Sequence, residues 1–324
     1  MTTLITGAFG CIGSWVVRTL LAEGERPVLF ELSDDPWRLR MLAGADVTDR
    51  VTLVRGDVTD LAALRRVAVQ HDVRRIIHLA AWQIPLCRRD PAKGALVNVV
   101  GTANAFEAAR LSGGRVERMV YASSIAVYGP PGLYPPGPLP NDTPPLPTTH
   151  YGVYKVANEG TAQVHWAEHH VPSIGFRFPA IYGAGRDVGL TADPTIAMKA
   201  ALLGRKFTIR WTGRCALLYT ADAARAILAA ARSGLDGARV YHLSGSSVDV
   251  DEIVGAIETA CSKAKGRITH GGEPIPFPDA LDDSRAQAEL GPLPVTPFAD
   301  GVRETVEEFA RLQRDGRLDA RELA

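Results

Sequence analysis

The sequence has few cysteines and no long apolar run, and each of these absences excludes a class of protein. The four cysteines lie far apart without metal-ligand spacing (Cys11, Cys87, Cys215 and Cys261). They predict reduced thiols, no metal site and a cytoplasmic location. No run of 18 or more apolar residues is present, which argues against a transmembrane helix. Glycines interrupt the apolar N-terminal stretch and no basic region precedes it, so a signal peptide is not expected.

The chain also lacks an excess of charge of either sign. Its 36 lysines and arginines balance 36 aspartates and glutamates. A neutral chain is a poor match for nucleic acid or an anionic membrane, so we expect neither as a main partner. At 324 residues the chain exceeds the roughly 250–300 residues at which single cores stop growing. We therefore expect one large domain and a smaller lobe.

Lysine is scarce, with six lysines against 30 arginines, and one of the six follows a tyrosine by four residues. In a helix, this spacing would place the Tyr151 phenol and the Lys155 ammonium on one face. A fixed positive charge beside a phenol favours the phenolate and lowers the pKa from near 10. A hydroxyl from the upstream pair Ser123-Ser124 would complete an acid/base site that moves a proton while a hydride moves elsewhere.

Short β-rich runs alternate with helical runs in this sequence. Strands are predicted at 2–6, 27–31, 51–54, 75–79, 118–122, 173–178 and 240–243. Helices are predicted at 12–22, 61–71, 90–111 and around Tyr151, and later at 194–203, 221–232, 248–261 and 297–314, with a strand at 206–211. This order predicts an α/β fold with a doubly wound parallel sheet. The strands are continuously apolar, which is typical of a sheet covered on both faces.

Nine prolines fall between positions 130 and 147, which excludes helix or central strand there. Loops of this length inside a compact domain are usually functional or disordered. Because this one joins the Ser124 strand to the Tyr151 helix, we expect a wall or lid of the site in preference to a free linker.

A glycine turn after the first strand indicates a dinucleotide site. Gly7, Gly10 and Gly13 allow a tight turn, close approach to a pyrophosphate and close packing of the following helix, whose N-terminus faces the phosphate charge. Glu31 ends the second strand, where an acid binds a ribose diol and repels a 2′-phosphate, so NAD is favoured over NADP. Arg38 and Arg40 leave a minority case for NADP. Asp57 either reaches the adenine amine or caps a turn.

These motifs, in this order, resemble the extended short-chain dehydrogenase/reductases, the NAD-dependent epimerase/dehydratase family, over about the first 185 residues. The matching segments are 7–13, 57–58, 78–81, 98–102, 123–129, 151–155 and 181–183. The resemblance implies a Rossmann domain (1–180 with a returning strand near 238–245) and a substrate lobe (181–324). It implies Ser124 as the polarising hydroxyl, Tyr151 as the acid/base, and Lys155 as the residue that holds the nicotinamide ribose. The implied cofactor-binding set is Gly7, Phe9, Gly10, Cys11, Ile12, Gly13, Glu31, Asp57, Val58, Leu79, Ala80, Ala81, Asn98, Tyr151 and Lys155.

Departures from the family pattern narrow the expected chemistry. Related dehydratases carry Asp-Glu where this chain has Ile125 and Ala126, which cannot transfer protons. Related nucleotide-sugar epimerases carry an asparagine at the position of Ala180 and a phosphate-binding arginine at that of Cys215. Two diphosphate contacts are therefore missing, and a substrate without a nucleotide is favoured. Three arginines are candidates to replace part of that charge, although surface arginines are the commoner explanation (Arg186, Arg210 and Arg214).

Three functions stay open at this point. The favoured one is an NAD-dependent dehydrogenase for a small polyhydroxylated compound, a sugar or sugar acid. The second is an NAD-dependent sugar epimerase such as a UDP-sugar 4-epimerase, and the third is a non-catalytic NAD-binding protein. The expected substrate contacts are Ser124, Trp82, Gln83 and segment 185–191 with Arg186. The resemblance also implies a homodimer built on helices 90–111 and 151–170, although plain packing within a monomer would explain the same helices.

Overall fold

A computed structural model of the chain describes residues 1–323. It is organised around a seven-stranded sheet in the order β10-β6-β5-β4-β1-β2-β3, in which all neighbours are parallel. The strands of this sheet are β1 Thr2–Thr6, β2 Val28–Glu31, β3 Thr52–Arg55, β4 Val73–His78, β5 Arg118–Ser124, β6 Ser173–Phe178 and β10 Ala238–His242. The predicted doubly wound parallel sheet is confirmed.

The remaining strands form two small sheets. One has the order β11-β9-β7 and the other pairs β12 with β8. Their bounds are β7 Ala180–Tyr182, β8 Phe207–Ile209, β9 Arg214–Tyr219, β11 Ser246–Asp249 and β12 Ile268–His270. Two of these strands, β7 and β9, contribute Ala180, Ile181, Cys215 and Ala216 to the lining of the cavity described below.

The helices are α1 Cys11–Ala22, α2 Trp37–Ala43, α3 Leu61–Gln70, α4 Ile84–Arg89, α5 Pro91–Ala95, α6 Gly101–Arg110, α7 His150–His169, α8 Asp193–Leu202, α9 Thr220–Arg232, α10 Val250–Ala260, α11 Ser284–Leu290 and α12 Phe298–Arg314. The predicted helix 90–111 is interrupted by a π-helical turn over Leu96–Val100. The short helices α2, α4 and α11 were not predicted, because one or two turns show little periodicity in a sequence.

Both faces of the main sheet are covered, which explains its continuously apolar strands. Neighbouring strand residues belong to opposite cores: Ile5, Leu29 and Ile77 pack with α1 and α9, whereas Leu4, Val28 and Ile76 pack with α3, α6 and α7. No helix within residues 1–323 combines the length and the apolarity that a membrane crossing requires.

The proline-rich segment 130–147 is fixed to the body of the molecule. Leu139 pairs with Leu281, and the Asn141 side chain bonds the backbone of Val240 and His242. None of its residues lines the main cavity described below, so the expectation of a wall or lid is wrong. Proline fixes the backbone of this loop so that it supports segment 275–283, which does reach the cavity.

Candidate active site

A cavity of about 790 Å³ lies at the carboxyl ends of β1, β2, β4, β5 and β6. In parallel sheets of this kind, ligands bind outside the carboxyl ends of the strands. One wall of the cavity comes from the loops that follow these strands. The opposite wall comes from residues after position 180, including Arg186, Cys215 and segment 275–278. The cavity therefore lies between the strand ends of the main sheet and residues that follow position 180.

The glycine turn has the geometry that a bound pyrophosphate requires. Gly7 has φ +72°, and a β-carbon there would lie 2.5 Å from the Ala80 nitrogen. A β-carbon on Gly13 would lie 2.2 Å from the Gly7 oxygen, so α1 starts in direct contact with the turn. Gly10 is exposed at the cavity wall and leaves room for a phosphate to approach the backbone at the start of α1. The predicted role of these glycines fits the structure.

Glu31 lies at the same end of the cavity and accepts a hydrogen bond from the Phe9 amide (N–Oε1 2.9 Å). Burial raises the pKa of Glu31 to about 7, although backbone amides of the glycine turn act in the opposite direction. A ribose diol would supply donors to this desolvated carboxylate. Arg38, the alternative ligand for a 2′-phosphate, is held by Asp187 through paired hydrogen bonds of 2.8–3.2 Å. The structure therefore fits NAD better than NADP.

Tyr151 is brought to Ser124 by a close approach of α7 to the end of β5. Thr149 caps α7 by accepting a hydrogen bond from the Gly152 amide (3.0 Å). A β-carbon on Gly152 would lie 2.0 Å from the Ala126 oxygen, so only glycine lets the helix start this near the turn that follows Ser124. Ser124, Tyr151 and Lys155 all line the cavity.

The protonation of this group differs from the expectation. Burial raises the pKa of Tyr151 to about 12, while the neighbouring Ser124 hydroxyl and the charge of Arg186 act in the opposite direction. Burial also lowers the pKa of Lys155 to about 8. The Lys155 ammonium lies 5.3 Å from the Tyr151 ring centroid and donates to the Ala122 carbonyl (2.6 Å). The expected lowering of the Tyr151 pKa is therefore wrong for this structure, because desolvation outweighs the nearby charge.

A buried polar network supports the catalytic helix. Glu159, one turn beyond Lys155, accepts from the Ser123 hydroxyl (2.5 Å) and pairs with Arg177 (2.8 Å). Arg177 also bonds Tyr128, whose hydroxyl lies 2.7 Å from the His242 Nε2. The two serines therefore have different roles: Ser123 links β5 to α7 through Glu159, and Ser124 lies beside Tyr151.

Not every predicted site residue lines the cavity. The predicted residues that line it are Gly7, Gly10, Cys11, Ile12, Gly13, Glu31, Leu79, Ala80, Ala81, Gln83, Ser124, Tyr151, Lys155 and Arg186. Five predicted residues lie outside its lining: Phe9, Asp57, Val58, Trp82 and Asn98. For these five, direct contact with a ligand stays a prediction.

Two of the outlying residues have a clear local role. Asp57 accepts from the Thr59 amide (2.9 Å), which is the turn-capping alternative. Asn98 is fully buried, accepts from the Trp82 amide (2.7 Å) and donates to the Trp82 carbonyl (2.9 Å). It therefore holds the loop after β4, from which Ala80, Ala81 and Gln83 face the cavity.

The structure adds lining residues that the sequence did not reveal. Arg88 on α4, Thr149, and the segment Ile275-Pro276-Phe277-Pro278 all border the cavity. The segment carries a visible signal, since apolar residues alternate with prolines in a loop. No sequence pattern, however, indicates that it meets a strand end some 150 residues earlier.

The positions that depart from the family pattern face the cavity. Ile125, Ala126, Ala180 and Cys215 line it, and none of these four side chains offers a ligand a carboxylate, an amide or a guanidinium group. Of the three candidate arginines, only Arg186 is at the cavity. Arg210 is held by both oxygens of buried Asp193, and Arg214 lies among Glu252, Asp279 and Ser247.

A cluster of possible metal ligands lies away from the cavity, although no metal site was expected from the sequence. Single ligand atoms of Glu107, His165 and His169 lie within 4.8 Å of one another. The Glu107 carboxylate already receives two hydrogen bonds from Arg110, at 2.6 and 2.9 Å. We assign no ion to this cluster.

A glycine turn after the first strand, an acid after the second and a Ser–Tyr–Lys group at the same sheet edge define a nicotinamide-dependent enzyme of the Rossmann type. Over residues 3–243 the chain matches the model of the NAD dependent epimerase/dehydratase family, and it belongs to that family. Its cofactor is NAD.

Relatives within the family carry different activities. The chain is 33% identical to the UDP-glucose 4-epimerase of Mycolicibacterium smegmatis, over 95% of this chain and 98% of the relative. It is 34% identical to the D-erythronate dehydrogenase of Cupriavidus necator, over 49% and 48% of the two chains. The solved structure of the Thermus thermophilus UDP-glucose 4-epimerase in complex with NAD superposes with a TM-score of 0.80 at 25% identity, over 96% of this chain and 99% of that one.

Proposed function

We propose that the protein is an NAD-dependent dehydrogenase that oxidises a hydroxyl group of a small polyhydroxylated compound bearing no nucleotide. The observation that carries this proposal is the pairing of two features in one cavity. Ser124, Tyr151 and Lys155 stand at the edge of the sheet, and Ala180 and Cys215 line the same cavity where a diphosphate would need hydrogen-bond donors. The Ser–Tyr–Lys group supports hydride transfer, whereas Ala180 and Cys215 offer no amide or guanidinium donors to the diphosphate of a nucleotide-linked substrate.

Tyr151, Ser124 and Lys155 have different roles in the oxidation of the substrate hydroxyl. Tyr151 takes the proton of the substrate hydroxyl as the adjacent carbon loses a hydride, which leaves a carbonyl. NAD, when bound, accepts that hydride and its two electrons. Ser124 hydrogen-bonds the reacting oxygen. Tyr151 must be deprotonated before it can accept the proton, and the positive charge of Lys155 stabilises that phenolate. In the reverse direction, the protonated phenol, with its pKa of about 12, donates to the carbonyl oxygen.

A second candidate is an NAD-dependent sugar epimerase. The observation that favours it is the match to the Mycolicibacterium smegmatis UDP-glucose 4-epimerase, which runs along nearly the whole of both chains. An epimerase needs the same Ser–Tyr–Lys group, and it must also hold a flipped keto intermediate. The loss of two diphosphate contacts removes the anchor that would hold such an intermediate, and we therefore rank this candidate second.

Net NADH formation separates the dehydrogenase from the epimerase and from a non-catalytic protein, since neither of these two forms NADH in proportion to product. Purified protein and NAD are incubated with nucleotide-free sugars and polyhydroxy acids, and NADH is measured against the Tyr151→Phe variant. A dehydrogenase forms NADH in proportion to oxidised product. NAD binding without turnover of any compound, and no difference between wild type and variant, would support a binding protein instead.

We also propose that residues 1–180 and 238–245 form the NAD-binding domain. We further propose a homodimer in which the α5–α6 segment and α7 of one copy pack against the same elements of the other. Leu96, Val100, Val153 and Val164 on these helices are 41–53% exposed, an unusual concentration of large apolar side chains. Sedimentation equilibrium tests the pairing. Val164→Glu is expected to give monomer, with exposed Val69→Glu as the matched control. A wild-type monomer would refute the dimer.

A further inference from the structure

Arg186 is a cavity-lining cation without an anionic partner. Its Nη2 donates to the Thr191 hydroxyl (3.0 Å), while its buried Nε has no hydrogen-bond partner within residues 1–323. The adjacent carboxylate, Asp187, is already paired with Arg38. A buried guanidinium donor without a partner is costly, and a bound anion would satisfy it.

The charges around the cavity are unevenly distributed. Its described lining contains three cations, Arg88, Lys155 and Arg186, and a single carboxylate, Glu31. Glu31 lies at the end of the cavity beside the glycine turn, bonded to the Phe9 amide. The end that holds the reactive phenol therefore presents positive charge alone.

A gap beside Arg186 is kept open by a glycine. Gly189 has φ +94°, and a β-carbon there would lie 3.4 Å from the Gln83 Oε1 and 3.7 Å from the Arg186 Nη2. The Gln83 amide and the Arg186 guanidinium thus flank one small space at the cavity wall. A planar guanidinium binds a carboxylate through two parallel hydrogen bonds, whereas the Gln83 oxygen that faces this space accepts hydrogen bonds from hydroxyl groups.

We propose that the substrate is a polyhydroxy acid whose carboxylate is bound by Arg186, with Gln83 beside it and Arg88 at the cavity wall. The proposal rests on the proposed dehydrogenase function and narrows its substrate class. Arg186 and Tyr151 line the same cavity, so one ligand can contact both. The carboxylate then fixes which hydroxyl faces the phenol.

The test compares matched substrates. Aldonic acids of four to six carbons are compared with the alditols of the same configuration, in which CH₂OH replaces the carboxylate, and with the corresponding sugar phosphates. Wild-type kcat/KM is expected to favour an acid over its alditol by about 10²-fold, the size of a lost charge-assisted ion pair. Equal use of acid and alditol, or preference for a phosphate, would overturn the proposal.

Substitution of the arginine separates substrate binding from cofactor binding. Arg186→Gln is expected to lower kcat/KM for the acid about 10²-fold, mainly through KM, with little change for the alditol or in NAD affinity. Arg65→Gln, an exposed arginine on α3, is the matched control. A variant that binds NAD more weakly but keeps the wild-type preference would assign Arg186 to the pyrophosphate instead.

Direct binding keeps this inference distinct from the proposed function. Calorimetric titration of the NAD-loaded protein with the same acids needs no turnover. Acid binding that Arg186→Gln abolishes, without NADH formation, would support the subsite and refute the dehydrogenase. NADH formation from neutral polyols, with no binding of any acid, would refute the subsite and leave the dehydrogenase standing.

Discussion

The pKa of Glu31 predicts that NAD affinity falls in mildly acidic solution. The carboxylate is desolvated, accepts a hydrogen bond from the Phe9 amide and has a pKa raised to about 7. A ribose diol donates hydrogen bonds, so NAD prefers the ionised form of Glu31. Protonation before binding therefore competes with NAD, and the apparent affinity should follow the ionised fraction.

The size of the effect follows from that pKa. With a pKa of about 7, roughly nine-tenths of the carboxyl is protonated at pH 6 and roughly one-tenth at pH 8. The apparent Kd for NAD is then about tenfold higher at pH 6 than at pH 8, or about 1.4 kcal/mol. Because NAD binding favours the charged form, the Kd must fall as pH rises.

The assay is calorimetric titration of cofactor-free protein with NAD at pH 6, 7 and 8 and constant ionic strength. Glu31→Gln cannot ionise, so its Kd should be weaker and nearly independent of pH. Glu117→Gln, at an exposed position, should keep the wild-type profile. A wild-type Kd that does not change with pH, or a slope that persists in Glu31→Gln, would refute the reasoning.

Three further predictions follow from the site and its support. Tyr151→Phe should lower kcat about 10²–10⁴-fold in steady-state NADH assays, and a loss below tenfold would remove Tyr151 as acid/base. Gly13→Ala would put a β-carbon 2.2 Å from the Gly7 oxygen. In urea unfolding, this variant should lose about 1–3 kcal/mol of unfolding free energy, and calorimetric titration should show weaker NAD binding. The control is Gly255→Ala, which has open space around its β-carbon and should not lower the unfolding free energy. Burial lowers the pKa of His242 to about 4. The unfolded chain therefore binds more protons below pH 6.5, and stability is lost as pH falls toward 4. The His242→Gln variant should lose about 2 kcal/mol less than wild type between pH 7 and pH 5, and an identical pH profile would contradict this.

The features predicted correctly from the sequence are local ones. Strands buried on both faces must be continuously apolar, and their alternation with helices specifies a parallel sheet. The turn at Gly7–Gly13 and the acid at Glu31 are likewise set by a few neighbouring residues. Each of these features repeats a pattern that the backbone itself requires.

The features that were missed depend on contacts between distant segments. Segment 275–278 reaches the cavity through packing between segments some 150 residues apart, and Arg88 lies on the short helix α4, which was not predicted. The pKa of Tyr151 was expected to fall because Lys155 is near in sequence, yet it rises through burial. The local role of Asn98, whose amide bonds the Trp82 backbone, was likewise not visible in the sequence. Spacing indicates which groups can meet, and burial decides their chemistry.

The most direct test of the central claim is a comparison of net NADH formation from two substrates. Purified protein with NAD receives a nucleotide-free polyhydroxy acid in one reaction and UDP-glucose in the other, and both NADH and the sugar products are quantified. The account predicts NADH in proportion to oxidised acid and no conversion of UDP-glucose. Conversion of UDP-glucose to its 4-epimer without net NADH, and no oxidation of the acid, would contradict it.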